Sequence, residues 1–166
     1  MPVSLLMCDN RSRWQPVQSV ADAALTNLLS AWKGWSEADN LPLRSRFDPM
    51  MFGSCLPWKM LSEILGQPND VRPYDVIARY IGTEIEHYFA AASFTRVALS
   101  TFEAAYTERW FSVLDDAITQ RQPHFYRGAP YRTGFEFVEL EMLSLPLSLT
   151  GANTDFVILA LARRDC

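Results

Sequence analysis

Runs of basic residues are missing from this chain. No stretch of Lys or Arg exceeds two residues, and 15 basic against 19 acidic side chains leave a net charge of −4 and a pI near 5.1. Nucleic-acid binding draws on clustered cations that release condensed counterions, so nucleic acid is not an expected partner, nor is a charged membrane surface. Long apolar runs are missing too: nothing approaches the roughly 20 residues that a membrane helix needs. Residues 1–8, Met-Pro-Val-Ser-Leu-Leu-Met-Cys, have no basic n-region and too short an apolar stretch for a secretory signal. Met7 is also too large for a lipoprotein cleavage site ahead of Cys8. Cysteine is scarce: Cys8, Cys55 and Cys166 lie far apart, with no Cys-x-x-Cys and no neighbouring His. That spacing excludes a zinc module, and the odd count argues against a disulfide framework. A reduced, cytoplasmic protein without membrane association is expected. Phosphate-cradling glycine loops, Gly-x-Ser-x-Gly elbows and His-Glu-x-x-His metal motifs are absent as well, and His87 and His124 are the two histidines.

What is present is a core. With 49% hydrophobic and 20% charged residues among 166, the chain suits one globular domain, burying about 70% of its unfolded surface. Its organising stretch is 74–89. Residues 74–81 read as a strand with Val76, Ala78 and Tyr80 on one face and Asp75, Ile77 and Arg79 on the other. Gly82 breaks that strand, and Thr83-Glu84-Ile85-Glu86 opens a short helix with a hydroxyl cap and acidic residues at the positive end of its dipole.

Residues 1 to about 16 read as a loose arm. Residues 20–35 predict a helix whose apolar positions Ala21, Leu25, Leu28, Trp32 and Trp35 are spaced 4, 3, 4 and 3, the period of a helix-pairing seam. Such a stripe packs against its own domain or makes a dimer contact, and the expectation carried forward is a homodimer through those five residues. Asp48-Pro49 marks a short helix to about Cys55, ended by Leu56-Pro57. Residues 58–65 form an antiparallel hairpin with 74–81, with Lys59 and Glu63 on the face opposite Met60 and Ile64. Residues 89–100 are helical or irregular. Residues 100–122 form the clearest helix, with Ser100 and Glu103 as a capping box and an apolar stripe through Phe102, Tyr106, Trp110, Val113 and Ala117. Strands follow at 124–131, 135–147 and 155–163. The last, Phe156-Val-Ile-Leu-Ala-Leu-Ala162, does not alternate. It must be covered on both faces, placing it inside the sheet with the helix at 20–35 over its second side.

These pieces resemble a PAS-like family of small, often single-domain alphaproteobacterial proteins. The residues carrying the resemblance are Leu41-Pro-x-Arg44-Ser45-x-x-Asp48-Pro49, Leu56-Pro57, Tyr80-Ile-Gly82-Thr83-Glu84-Ile85, and Glu141-x-Leu-x-Leu145-Pro146-Leu147-Ser148 with Gly151 after it. They cover about residues 40–165 in the family's order. The resemblance implies an α+β fold: a PAS-like five-stranded antiparallel sheet of spatial order 2-1-5-4-3 with helices on one face and the N-terminal helix outside the core. Residues 1–40 are then the arm and helix, dimerising or covering the sheet, and residues 41–166 the PAS-like domain. It also implies a non-catalytic sensory or protein-interaction role in bacterial signal transduction. A small-molecule ligand between sheet and helices, and a signalling partner such as a histidine kinase, belong to that expectation. Where the family has a Gly-Arg-x-Leu-x-Gly segment, this chain departs with Ala90-Ala-Ala-Ser-Phe-Thr.

Tyr80, His87, Tyr106, Trp110 and Phe137 are the candidate lining of such a ligand pocket. A pocket of about 300 Å³ left empty would cost roughly 7 kcal/mol at ~24 cal/mol per Å³, so filling by the chain's own aromatics is the default. His87 is a candidate small-molecule or haem contact, although a lone helix histidine is more often a surface or structural residue. Glu139 and Glu141 share strand parity with Phe135, Phe137, Leu143 and Leu145, which buries two carboxylates unless a bulge or Arg127 or Arg132 relieves them. The enzyme alternative is an isomerase or dehydratase on a cone-shaped α+β fold, built from His87 and one of those carboxylates. A third alternative is a haem or flavin carrier. The sequence specifies no cofactor.

Overall fold

The computed structural model describes residues 14–66, 73–89, 95–132 and 134–164, without the side chains of 51–54. Cys8, Cys166, most of the N-terminal arm, most of the hairpin loop and the 90–94 departure lie outside the described residues. Among the described residues six strands form one antiparallel sheet: β1 Gln15–Val17, β2 Lys59–Leu65, β3 Asp75–Ile81, β4 His124–Gly128, β5 Leu140–Leu147 and β6 Phe156–Arg163. Their spatial order is β1-β4-β5-β6-β2-β3. Among the described residues the α-helices are α1 Ala23–Trp35, α2 Thr83–Phe89 and α3 Ala104–Gln120.

Strand β6 lies between β5 and β2, and its residues alternate between two cores. Val157, Leu159 and Leu161 join Leu140 and Met142 under α2 and α3, whereas Ile158, Ala160 and Ala162 join Leu143, Leu145 and Leu147 under α1. Helices therefore cover both faces rather than one. The N-terminal helix does not stand outside the core; it closes a second one. Leu25, Leu28 and Trp32 are buried there, and full burial of such side chains contributes about 1.5–3 kcal/mol each.

Local polar groups fix α1. Asp22 caps it by accepting the Leu25 amide at 3.1 Å. The fully buried Glu141 carboxylate accepts the Ala21 amide at 3.1 Å and the Asp22 amide at 3.0 Å, at the positive end of the helix dipole. At the other end the Trp32 indole donates to the Pro146 carbonyl at 2.8 Å. That bond explains a proline in an interior strand. In an extended strand the N and O of one residue point to the same side, so Pro146 lacks its N–H on the side where Trp32, not a strand, takes the carbonyl; β4 pairs with β5 only up to Ser144.

The sixth strand is a departure from the five expected. Gln15–Val17 pairs with β4 and is not part of a loose arm. The capping box is also not formed: α3 begins after Glu103, which makes no side-chain cap, while the Ser100 hydroxyl and amide bind Asp75. Ser100 sits instead in a 3-10 turn, Leu99–Thr101, that α3 does not continue. The short helix after Asp48 is a run of 3-10 turns, Pro49–Trp58, capped by Asp48 through the Met50 amide at 2.9 Å.

Candidate functional site

The expected pocket face lies between the sheet and α2/α3, and aromatic rings fill it. Phe89 and Trp110 meet at 4.9 Å, Tyr106 and Tyr131 at 5.1 Å, and Trp14 lies 5.9 Å from Phe89. The Arg109 guanidinium threads this cluster, 5.1 Å from the Trp14 ring and 5.6 Å from those of Phe89 and Tyr131, and donates to the Ala129 carbonyl at 2.7 Å. Burial lowers its pKa to about 10, and burial raises the Tyr106 phenol to about 12. What remains open beside Met60, Ser62, Val76, Ala78, Tyr106 and Trp110 is about 30 Å³. That suits one or two waters, and at ~24 cal/mol per Å³ leaving it empty costs under about 1 kcal/mol.

Of the five sequence-predicted lining residues, Tyr106 and Trp110 meet there. The other three do not. Leu61 pairs with Tyr80 and Ser62 with Ala78, so Arg79 is an extra residue in β3, and this bulge turns Tyr80 to the α1 face. There its hydroxyl donates to the Leu56 carbonyl at 3.2 Å. His87 is exposed on α2, its ring against Tyr88 and Phe135, while its carbonyl accepts from Arg132. Phe137 is 78% exposed, because the chain turns at 135–138 and β5 begins only at Leu140.

The carboxylates of the enzyme alternative are apart as well. Glu141 faces α1, on the opposite side of the sheet from α2 and His87, and Glu139 lies on the surface paired with Arg164 at 2.9 Å. The pairing of Glu139 and Glu141 with Arg127 or Arg132 is replaced by Arg164, which reaches Glu141 at 3.8 Å. The dimer seam is spent internally: Leu25, Leu28 and Trp32 are buried on the chain's own sheet, Trp35 packs 6.4 Å from Phe47, and Ala21 precedes the helix. Among the described residues no three His, Cys, Asp or Glu side chains come together to hold a metal ion, and no helix is long and apolar enough to cross a membrane.

A larger space lies on the α1 face, beside the strand whose Lys59 and Glu63 the sequence places on one side. A cleft of about 400 Å³ opens between the first half of α1, the end of the Pro49–Trp58 turns and strands β2 and β6. It exists because Ala24, Ala160 and Ala162 are small where α1 crosses the sheet. Lys59 stands in its wall, 3% exposed, and donates from Nζ to the Cys55 carbonyl at 2.9 Å. Burial lowers its pKa, offset in part by Coulombic interaction with Cys55 in its thiolate form. The one available signal for Lys59 was its place opposite Ala160 in the non-alternating β6, which a sequence does not reveal without the strand register.

The chain matches no protein-family model, no curated protein and no solved structure.

Proposed function

We propose that this chain is a non-catalytic PAS-like module that serves sensing and protein interaction in signal transduction. The observation that carries the reading is the strand arrangement. Numbered without β1, the five remaining strands run 2-1-5-4-3 across the sheet from the β3 edge, with α2 and α3 over one face. The resemblance of the ordered motifs from Leu41 to Gly151 adds to it. The filled α2/α3 face favours interaction over ligand capture in that space, since only about 30 Å³ is left there.

A regulatory partner such as a histidine kinase follows from the resemblance. The test is affinity co-purification from the source organism, followed by phosphorylation assays on any signalling protein recovered. A recovered kinase whose autophosphorylation changes on adding the purified chain supports the reading. A chain that co-purifies with no signalling protein, or that turns over a metabolite, overturns it.

A further inference from the structure

We propose that Arg109 holds the carboxylate of a small organic acid, in a site that Trp14 closes at the β1–β4 edge of the sheet. This goes beyond the reading above and does not rest on it. The gap beside Met60, Ser62, Val76 and Ala78 lies over β2 and β3, at the other end of the sheet.

Unmet donors define the place. Arg109 is 5% exposed, and among the described residues its guanidinium makes one hydrogen bond, from Nη2 to the Ala129 carbonyl at 2.7 Å. Its Nε and Nη1 have no acceptor there, and neither has Nε1 of Trp14, whose ring lies 5.1 Å from the guanidinium carbon. Buried N–H groups are almost always paired, so three unmet donors around one contact call for an acceptor.

Shape selects that acceptor. A guanidinium presents its N–H groups along two edges, each a pair of near-parallel donors in the plane of the group. A single carbonyl on Nη2 engages one edge at most; with Nε and Nη1 both unmet, a complete pair stays open on the other. The ring faces of Trp14, Phe89 and Tyr131 answer the charge but offer no lone pair to those hydrogens. The two oxygens of one carboxylate match such a pair, whereas a halide meets it from a single centre.

Charge and size narrow the class. Burial lowers the Arg109 pKa only to about 10, so the group is a cation at neutral pH. The ion pairs among the described residues do not include it, and the groups acting on its charge are the phenols of Tyr106 and Tyr131. One negative charge would compensate that buried cation, whereas a dianion would bury a second uncompensated charge. The surrounding rings stand 5.1–5.6 Å from the guanidinium carbon, which favours an acid of formate's or acetate's size. Entry is by Trp14. It leads into β1, a three-residue strand at the sheet edge held by β4 alone, where local opening is easiest.

The test is titration of the full chain with sodium formate, sodium chloride and sodium sulfate at matched ionic strength, read at the Arg109 side-chain Nε–H resonance by NMR. Formate is expected to shift that resonance saturably, at one per chain and with at least about fivefold tighter binding than chloride. Sulfate should give no saturable shift. Arg109→Lys keeps the charge and loses the paired donors; thermal unfolding should then show chloride and formate stabilising it equally, against a preference for formate in the native chain. The site-resolved titration of the native chain decides the matter if Arg109→Lys does not fold. No saturable shift with formate, chloride or sulfate binding as tightly as formate, or a formate preference that survives in Arg109→Lys would each overturn the proposal.

Discussion

The Arg109 guanidinium stands 5.1 Å from the ring of Trp14, joining the middle of α3 to the residue that leads into β1. Arg109 is 5% exposed, and its Nε and Nη1 have no hydrogen-bond partner among the described residues, so the three surrounding ring faces take over much of the solvation that water would give. A desolvated cation–π contact is worth about 2 kcal/mol. On its other side Trp14 lies against Gly128 of β4, where an added Cβ would stand 2.7 Å from the ring. The extra strand of this sheet follows from one ring clamped between a glycine and an arginine.

Gly128→Ala should therefore loosen β1 without disturbing the central strands. The clash is with a side chain that can move away, so the cost is expected at about 1–3 kcal/mol. Hydrogen exchange would show it as faster exchange across the 15–17/125–127 pairing, with β5 and β6 unchanged. Uniform acceleration over the whole sheet would mean that Trp14 supports more than β1.

Gly82→Ala meets backbone instead. The new Cβ would lie 2.2 Å from the Pro57 carbonyl oxygen and 2.7 Å from that of Leu56, and neither can rotate aside. Gly82 also donates its amide to Lys59 at 2.8 Å, so the β2 entry and the β3 exit are locked together. A loss of at least about 3 kcal/mol in urea unfolding is expected, more than at Gly128. Gly82 is thus needed for close approach, a reason different from strand breaking alone.

Much of the architecture could be read from the sequence because burial writes itself into composition. Phe156 to Ala162 is apolar at every position, and only a strand covered on both faces requires that. The site could not be read in the same way. Strict alternation put Tyr80 with Ala78, but one extra residue at Arg79 reversed it. Alternation also put Lys59 with Glu63 on one face; α1 buries the first and leaves the second half-exposed beside Arg79. Phe137 falls within the strand that the sequence predicts over 135–147, yet the chain is still turning there. Local pattern specifies elements, whereas a cleft depends on which element crosses which.

Leu28→Ala tests how the helical seam is used. Leu28 is 1% exposed within the α1 core, so its truncation should cost about 2–5 kcal/mol of stability. Mass by light scattering should not change, because the seam faces the chain's own sheet. A large change in association state with little loss of stability would restore the seam to an intermolecular role.

Tyr106→Phe separates a pH effect on the filled face. The folded-state pKa is raised from 10.0 to about 12, so the buried neutral phenol contributes stability that is complete below pH 10 and lost as pH rises towards 12. The Phe variant gives up the hydrogen bond to the Phe89 carbonyl at 3.3 Å, worth about 1 kcal/mol, but has no proton to lose. Denaturant unfolding at pH 8 and pH 11 should show the variant less stable at the first and closer to the native chain at the second.

Lys59→Met has the opposite sign. Burial lowers the Lys59 pKa below its ordinary 10.5, so at neutral pH the folded chain carries a charge that it disfavours relative to the unfolded chain. As pH rises through the lowered value to 10.5 the unfolded chain holds more protons than the folded one, and the native protein gains stability. The groups lining the cleft with Lys59 are Asp22, Cys55 and Arg163, all retained in the variant, so the difference between the two proteins isolates the ammonium. Methionine minus lysine, the stability difference should fall on going from pH 7 to pH 10.5, by about 1.4 kcal/mol for each unit by which the pKa is lowered. Relief of the buried charge and loss of the bond to the Cys55 carbonyl enter the absolute offset at pH 7 with opposite signs, so the pH dependence of the difference is the informative quantity. A difference that stays constant with pH would mean that Lys59 is solvated as an exposed lysine is.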